Sequence, residues 1–209
     1  DGVAMSALTN DVTDVLGMGE DGGQLFVHGA FVNHPGPFSS WWDGTNWNAG
    51  PDRVWGRFGA NLTTFARVGG DLILGGSVQG YYDYTDGGVI KGGHGVLAWD
   101  GTRFRAMGPG FGLADEGYVY GLRSYAGRLV AAGEFDMIGR LGAANGIAAW
   151  DGTQWSRLGT GLDDAFGNPT GEQLTTWNGR LVVTGYFSGA GGVPSRHIAA
   201  WNGSSWEGF

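Results

Sequence analysis

Tyr81, Tyr82, Asp83, Tyr84 and Asp86 form the densest chemically useful cluster in the chain. Tyrosine offers a flat apolar ring with a polar tip, and a carboxylate accepts hydroxyl protons. This set suits stacking on a sugar ring while holding its hydroxyls. The same residues also suit a segment that covers a sheet edge and solvates itself. Acidic and amide side chains recur in two Gly-rich stretches: Asp163, Asp164, Asn168 and Glu172 in "GTGLDDAFGNPTGE", and Asp115 and Glu116 in "GFGLADEG". Oxygen ligands of this kind suit Ca²⁺, but neither the EF-hand spacing nor the nonapeptide calcium repeat is present. A solvated acidic rim accounts for them, and no metal or other cofactor is expected. Histidines 34, 94 and 197 sit in polar, Gly-rich segments, where imidazoles cap turns or meet water more often than they bind metal.

Familiar catalytic patterns are missing. There is no Walker loop, no G-x-S-x-G elbow and no HExxH, and the Gly-x-Gly pairs have no following helix to receive a phosphate. The absence of cysteine removes disulfide, zinc-thiolate and thiol-nucleophile chemistry. Paired carboxylates of a glycosidase or lyase stay open as an alternative, since acids are plentiful. The formal net charge of −8 and the single lysine, Lys91, leave no basic stripe for phosphate backbones, so nucleic acid is not an expected partner. No apolar run approaches the roughly 18 to 20 residues of a membrane-spanning helix.

The elements that position these residues follow from an internal repeat. "SWWDGTNWNAG" from Ser40, "LAWDGTRFRAMG" from Leu97, "AAWDGTQWSRLG" from Ala148 and "AAWNGSSWEGF" from Ala199 place a tryptophan at 42, 99, 150 and 201, spacings of 57, 51 and 51. Before each hairpin comes an apolar segment: "GQLFVHGAF", "GDLILGGSV", "GRLVAAGEF" or "GRLVVTGYF". Before that lies a segment with apolar residues three apart: Val15 and Met18, Leu62 and Phe65, Val119 and Leu122, with Gly171 and Leu174 in the last copy. Short runs rich in Val, Leu, Phe, Tyr and Trp, separated by Gly-containing turns, read as strands, and an Asp-Gly step supplies the positive φ of a tight turn. Each unit therefore carries four strands, A to D.

A meander of about 50 residues repeated along the chain predicts an all-β fold, a β-propeller of about four four-stranded blades, with the hairpin aromatics packed between blades. A β-helix or a sandwich is the alternative. The expected blades span about 11–49, 50–106, 107–158 and 159–209. Residues 1–10 read as a surplus D strand, since Met5 aligns with Trp155 and Leu8 with Leu158. That surplus favours a segment of a larger propeller over a closed ring of four, and implies association with further blades or another chain.

Gly179, Leu181, Val183, Gly185, Phe187, Ile198, Ala199, Trp201, Asn202, Gly203 and Trp206, with their counterparts in the other copies, resemble the kelch-like propeller repeats of bacterial secreted proteins and of the fungal cortical cell-polarity marker family. The resemblance covers nearly the whole chain. It implies a propeller that serves as a repeat scaffold without a shared active site. The long B to C and D to A connections emerge on one face of a meander and differ between copies, which makes that face the binding candidate. The leading expectation is a non-enzymatic, extracellular or cell-surface scaffold for adhesion or protein binding. A glycan-binding module carrying the Tyr81 to Asp86 cluster is the second.

Overall fold

The computed structural model describes residues 12–21, 23–31, 39–49, 54–55, 61–83, 89–112, 117–140, 142–165 and 167–209. The surplus strand expected over 1–10 lies outside them. The described elements are all β-strands, with no helix among them. The first unit is an antiparallel meander of β1 (Val12–Asp21), β2 (Gln24–Phe31), β3 (Ser39–Trp42) and β4 (Trp47–Ala49). After β5 (Val54–Trp55), the second consists of β6 (Leu62–Val68), β7 (Asp71–Gly76), β10 (Val96–Trp99) and β11 (Phe104–Ala106), with β8 (Gly80–Asp83) and β9 (Val89–Gly92) inserted between β7 and β10. The third is β12 (Tyr118–Tyr125), β13 (Arg128–Glu134), β14 (Ile147–Trp150) and β15 (Trp155–Arg157). After β16 (Leu162–Asp163), the fourth is β17 (Thr170–Trp177), β18 (Arg180–Tyr186), β21 (Ile198–Trp201) and β22 (Trp206–Gly208), with β19 (Gly189–Ala190) and β20 (Val193–Pro194) inserted. The last two meanders are joined through Glu134 and Thr170 into an eight-stranded sheet that curls as a half-barrel.

A bulge at one place in every A strand explains the three-residue apolar spacing. The register against the B strand shifts between Val15 and Gly17, Leu62 and Thr64, Val119 and Gly121, and Gly171 and Gln173. One extra residue turns positions i and i+3 onto the same face, where a regular strand would place i and i+2. The bulge also forces a glycine on the facing strand. A Cβ at Gly76, Gly133 or Gly185 would stand 1.9, 1.9 or 2.1 Å from the carbonyl oxygen of Asn61, Tyr118 or Thr170. In the second, third and fourth units the glycine of the "G-x-F" or "G-x-V" motif is thus fixed by backbone contact.

The apolar core lies between units, because B strands alternate in which neighbour they face. Leu129 and Ala131 pack with Ile73, Val96 and Ala98 of the preceding unit, whereas Val130 and Ala132 pack with Leu181 and Val183 of the following one. Phe26 and Trp41 of the first unit meet Leu72, Leu74 and Phe104 of the second. Each hairpin adds a ring pair to this packing: Trp42 with Trp47 at 5.6 Å, Trp99 with Phe104 at 4.7 Å, Trp150 with Trp155 at 5.4 Å and Trp201 with Trp206 at 5.4 Å. Two of these pairs are latched to the preceding unit. Trp155 Nε1 donates to the Met107 carbonyl at 2.8 Å, and Trp206 Nε1 donates to the Leu158 carbonyl at 3.0 Å.

The hairpin turn is an Asx turn in every copy. Asp43, Asp100, Asp151 and Asn202 each accept two backbone N–H bonds through Oδ1, from the residues two and three positions on. These bonds stabilise the charged form of the aspartates. The Arg103 N–H, with the Thr102 hydroxyl and N–H, brings Asp100 down to about 2, and the N–H groups of Gln154 and Thr153 do the same for Asp151. Asp43 is lowered by the N–H groups of Asn46 and Thr45.

Truncating the latch separates its two parts. Trp155→Phe keeps a ring but leaves the Met107 carbonyl without its donor, at a cost of about 1–3 kcal/mol; Trp155→Ala adds a cavity and costs about 3–5 kcal/mol. Urea unfolding midpoints read both. The turns respond to acid with a fixed sign. Asp100 and Asp151 titrate lower in the folded chain than the ordinary 3.8, so their contribution is complete above about pH 4 and is lost as pH falls through about 2. Carboxyl carbon NMR should place both midpoints near 2, while the Asn202 turn shows no such transition.

Candidate functional site

The A–B and C–D turns lie at one end of every meander, and the B–C and D–A connections lie at the other. At that connector end the segments pair with one another. β5 pairs with β8 and β8 with β9; β16 pairs with β19 and β19 with β20; and isolated bridges join Phe111 to Ile138 and Met137 to Ala143. The connections expected as long loops thus form small ribbons, with each D–A segment laid against the B–C segment of the next unit.

The tyrosine cluster expected to bind a sugar is placed only in part. Tyr81 lies on β8 opposite Val54 and Lys91 and is 7% exposed, with its ring 5.7 Å from that of Phe104. Its assignment as a stacking platform is corrected: the ring is a member of the core between the first and second units. The backbones of Tyr82 and Asp83 continue β8, opposite Ile90 and Val89. Tyr84 and Asp86 lie outside the described residues, as do His34, Asp115 and Glu116.

A cavity of about 340 Å³ opens at the connector end of the fourth unit, lined by Asp164, Ala165, Asn168, Tyr186, Phe187, Ser188, Arg196 and His197. Three segments build it. Asp164, Ala165 and Asn168 come from the D–A connection after β16, Tyr186 to Ser188 from the end of β18, and Arg196 and His197 from the approach to β21. Backbone bonds fix their relation. The N–H of Ser188 donates to the Asp163 carbonyl at 2.8 Å, that of His197 to the Phe187 carbonyl at 3.1 Å, and that of Gly185 to the His197 carbonyl at 3.1 Å. Asp163 Oδ2 accepts from the Gly192 N–H at 2.7 Å, which ties the β19–β20 turn to the D–A connection. Phe187 is buried and forms an apolar floor, while Tyr186 is 67% exposed. The Tyr186 and His197 rings stand nearly perpendicular, at 83° with centroids 6.1 Å apart.

His197 occupies a position that the second and third units give to glycine and the first gives to Phe38. Gly95 and Gly146 hold it in the second and third units, with φ of 85° and 74° and the same carbonyl bond to the B strand. A Cβ at Gly146 would stand 2.8 Å from the Pro169 carbonyl oxygen, and one at Gly95 would stand 3.2 Å from that of Gly117; both carbonyls lie on the backbone that leads into the next unit's first strand. His197 has φ of 64°, a conformation that costs a non-glycine residue about 1–2 kcal/mol. Its Nδ1 lies 3.0 Å from the Gly185 carbonyl oxygen. A carbonyl only accepts, so Nδ1 carries the proton and Nε2 is left as an acceptor when the ring is neutral.

Tyr186 is specific to its copy as well: the same position is Ala30, Ser77 and Glu134 in the other units. At Glu134 the third unit builds a different arrangement, in which the Tyr120 hydroxyl donates to the carboxylate at 3.3 Å and the Tyr118 and Tyr120 rings stack at 6.3 Å. Burial, and then the Glu134 charge, pushes the Tyr120 phenol up. Sequence reasoning singled out Asp164, Asn168 and His197 without bringing them together, and it missed Tyr186 and Arg196. Part of the signal was available, because aligning the repeats shows His197 against Gly95 and Gly146, with Phe38 in the first copy. Among the described residues no group of three His, Asp or Glu side chains is arranged to hold a metal ion.

Neither protein-family models nor curated protein sequences match this chain. Among solved structures it is similar to the computationally designed Ika8 protein, at 14% identity and a TM-score of 0.41, covering 92% of this chain. The chain spans 46% of the length of that protein.

Tyr81→Ala separates a core role from a binding role. Removal of a buried ring should lower stability by about 3–5 kcal/mol in chemical denaturation; an unchanged midpoint would return Tyr81 to the surface.

Proposed function

We propose that the chain is a run of propeller-type blades that works as a non-enzymatic binding scaffold, secreted or displayed at a cell surface, and meets a protein or glycan partner through its connector end. One observation carries the reading. The bulge, its facing glycine and the aromatic hairpin recur from unit to unit, while the connector end changes at equivalent positions from Glu134 to Tyr186, Asn145 to Arg196 and Gly146 to His197. A repeat that holds its frame and varies one end is built to present that end. The secreted setting is supported by the resemblance to bacterial secreted repeats.

The blade reading draws on packing. The first strands of successive meanders lie side by side, β1 with β6, β6 with β12 and β12 with β17. On these strands Leu62, Phe65, Val119 and Leu122 are 1, 7, 0 and 8% exposed, each covered by the preceding unit, whereas Val15 and Met18 at the same positions of the first unit are 50 and 68% exposed. The first unit thus bares the face that its successors bury, and a further blade of the same kind fits it. The exposed Tyr186 beside a largely apolar cavity that carries a few polar side chains favours a glycan as the partner over a flat protein epitope, since one exposed ring with a few planar polar groups suits a sugar.

Paired surface variants test the scaffold. Tyr118→Ala and Tyr186→Ala alter the connector end, and Arg103→Ala alters the hairpin end. On arrays of glycans and extracellular proteins, the connector variants should lower binding at least tenfold and the hairpin variant should not. Equal effects at both ends, or turnover of an arrayed glycan, would overturn the proposal.

A further inference from the structure

We infer that the cavity of the fourth unit seats a single neutral pyranose residue of a glycan. The inference rests on the scaffold reading above and specifies the ligand of its best-formed site. Its shape argument begins with Tyr186 and His197, two rings set at 83°. Such a corner covers one apolar face of a sugar ring and closes one edge, while a flat aromatic surface alone would leave the sugar free to slide. Phe187 supplies an apolar floor below.

The few polar groups of a largely apolar lining fit hydroxyls better than a charged group. Asn168 and Arg196 carry planar groups with one acceptor and one amide donor group, or several donors, and each can engage two neighbouring hydroxyls at once. His197 Nε2 adds an acceptor that faces no internal demand from the Gly185 bond, which uses Nδ1. One carboxylate and one guanidinium balance the fixed charge of the lining. On a chain of net charge −8 an anion gains nothing from the long-range field and meets Asp164 on entry. A volume of about 340 Å³ lies at the small end of the roughly 300–1,000 Å³ typical of ligand sites, enough for one ring and not for an oligosaccharide.

The departures from the repeat fall on these same residues. The fourth unit carries a histidine where its neighbours carry Gly95 and Gly146, despite the backbone cost of φ 64°. It carries an exposed tyrosine where the third unit has Glu134.

Two-dimensional NMR of the intact chain tests the inference with the methyl glycosides of glucose, galactose and mannose, and with galacturonate and inorganic phosphate as anionic probes. At least one neutral glycoside should bind at millimolar concentration, with shifts centred on Tyr186, Ser188 and His197. Tyr186→Ala and His197→Gly should each weaken it at least tenfold. His197→Gly restores the residue type of the neighbouring units, so its thermal midpoint should stay within a few degrees of the parent, which separates lost binding from lost folding. Tighter binding of galacturonate or phosphate at the cavity, or no cavity shift with any neutral glycoside, would overturn the neutral-pyranose assignment. Shifts elsewhere on the connector end would overturn it too, while leaving the scaffold reading intact. Conversion of a glycoside into products during the titration would support the seat and overturn the non-enzymatic reading.

Discussion

The third and fourth meanders are each set against their predecessor by an indole that reaches out of its own sheet. Trp155 and Trp206 are each buried by the unit before them, and each hands its one polar proton to a carbonyl at the end of that unit's last strand. The ring supplies area and the N–H supplies position, so the contact sets both how tightly two meanders press together and at what offset. The Asx turn behind it, with Oδ1 of Asp151 or Asn202 gathering two N–H groups, keeps the hairpin short enough for the ring to arrive there.

From that offset the rest follows locally. The A strand must pass close to its neighbour, and the bulge at Val119 and Gly121 turns Val119 and Leu122 together onto the preceding unit. Thr63 and Thr64 then bond across to the next A strand, at the Val119 carbonyl and the Leu122 N–H. Edge chemistry is looser than this. Asp71 pairs with Arg105 in the second unit, and Arg180 pairs with Glu207 in the fourth, with the charges exchanged between the same two strand positions. Exposed pairs of this kind contribute little each, so their sign drifts while the ring and the bulge stay put.

Much of the frame was legible in the sequence because it is written in residues with few substitutes. The Trp spacing gave the period, Asp-Gly gave the turn, and "G-R-L-V" runs gave the B strands. The cause of the three-residue spacing was not legible, since a bulge arises from the approach of two backbones and leaves no side-chain period. The two-residue strands Leu162–Asp163 and Gly189–Ala190 are too short to carry any pattern. The candidate site was hidden for another reason. Density of tyrosine drew attention to Tyr81, which burial removes, while Asp164, Tyr186 and His197 lie far apart in the chain and meet only where the B–C segment folds back onto the D–A segment.

Placing the apolar residues between meanders has a consequence for how the chain gains its stability. Val130 and Leu129 are neighbours in sequence yet belong to different cores, so no single meander owns enough buried surface to persist by itself. The energetics are those of a row of coupled elements, where each addition brings little of its own and much through its junction. Folding in such a row spreads outward from any junction that forms first, and a change at one junction is felt by the two meanders that share it.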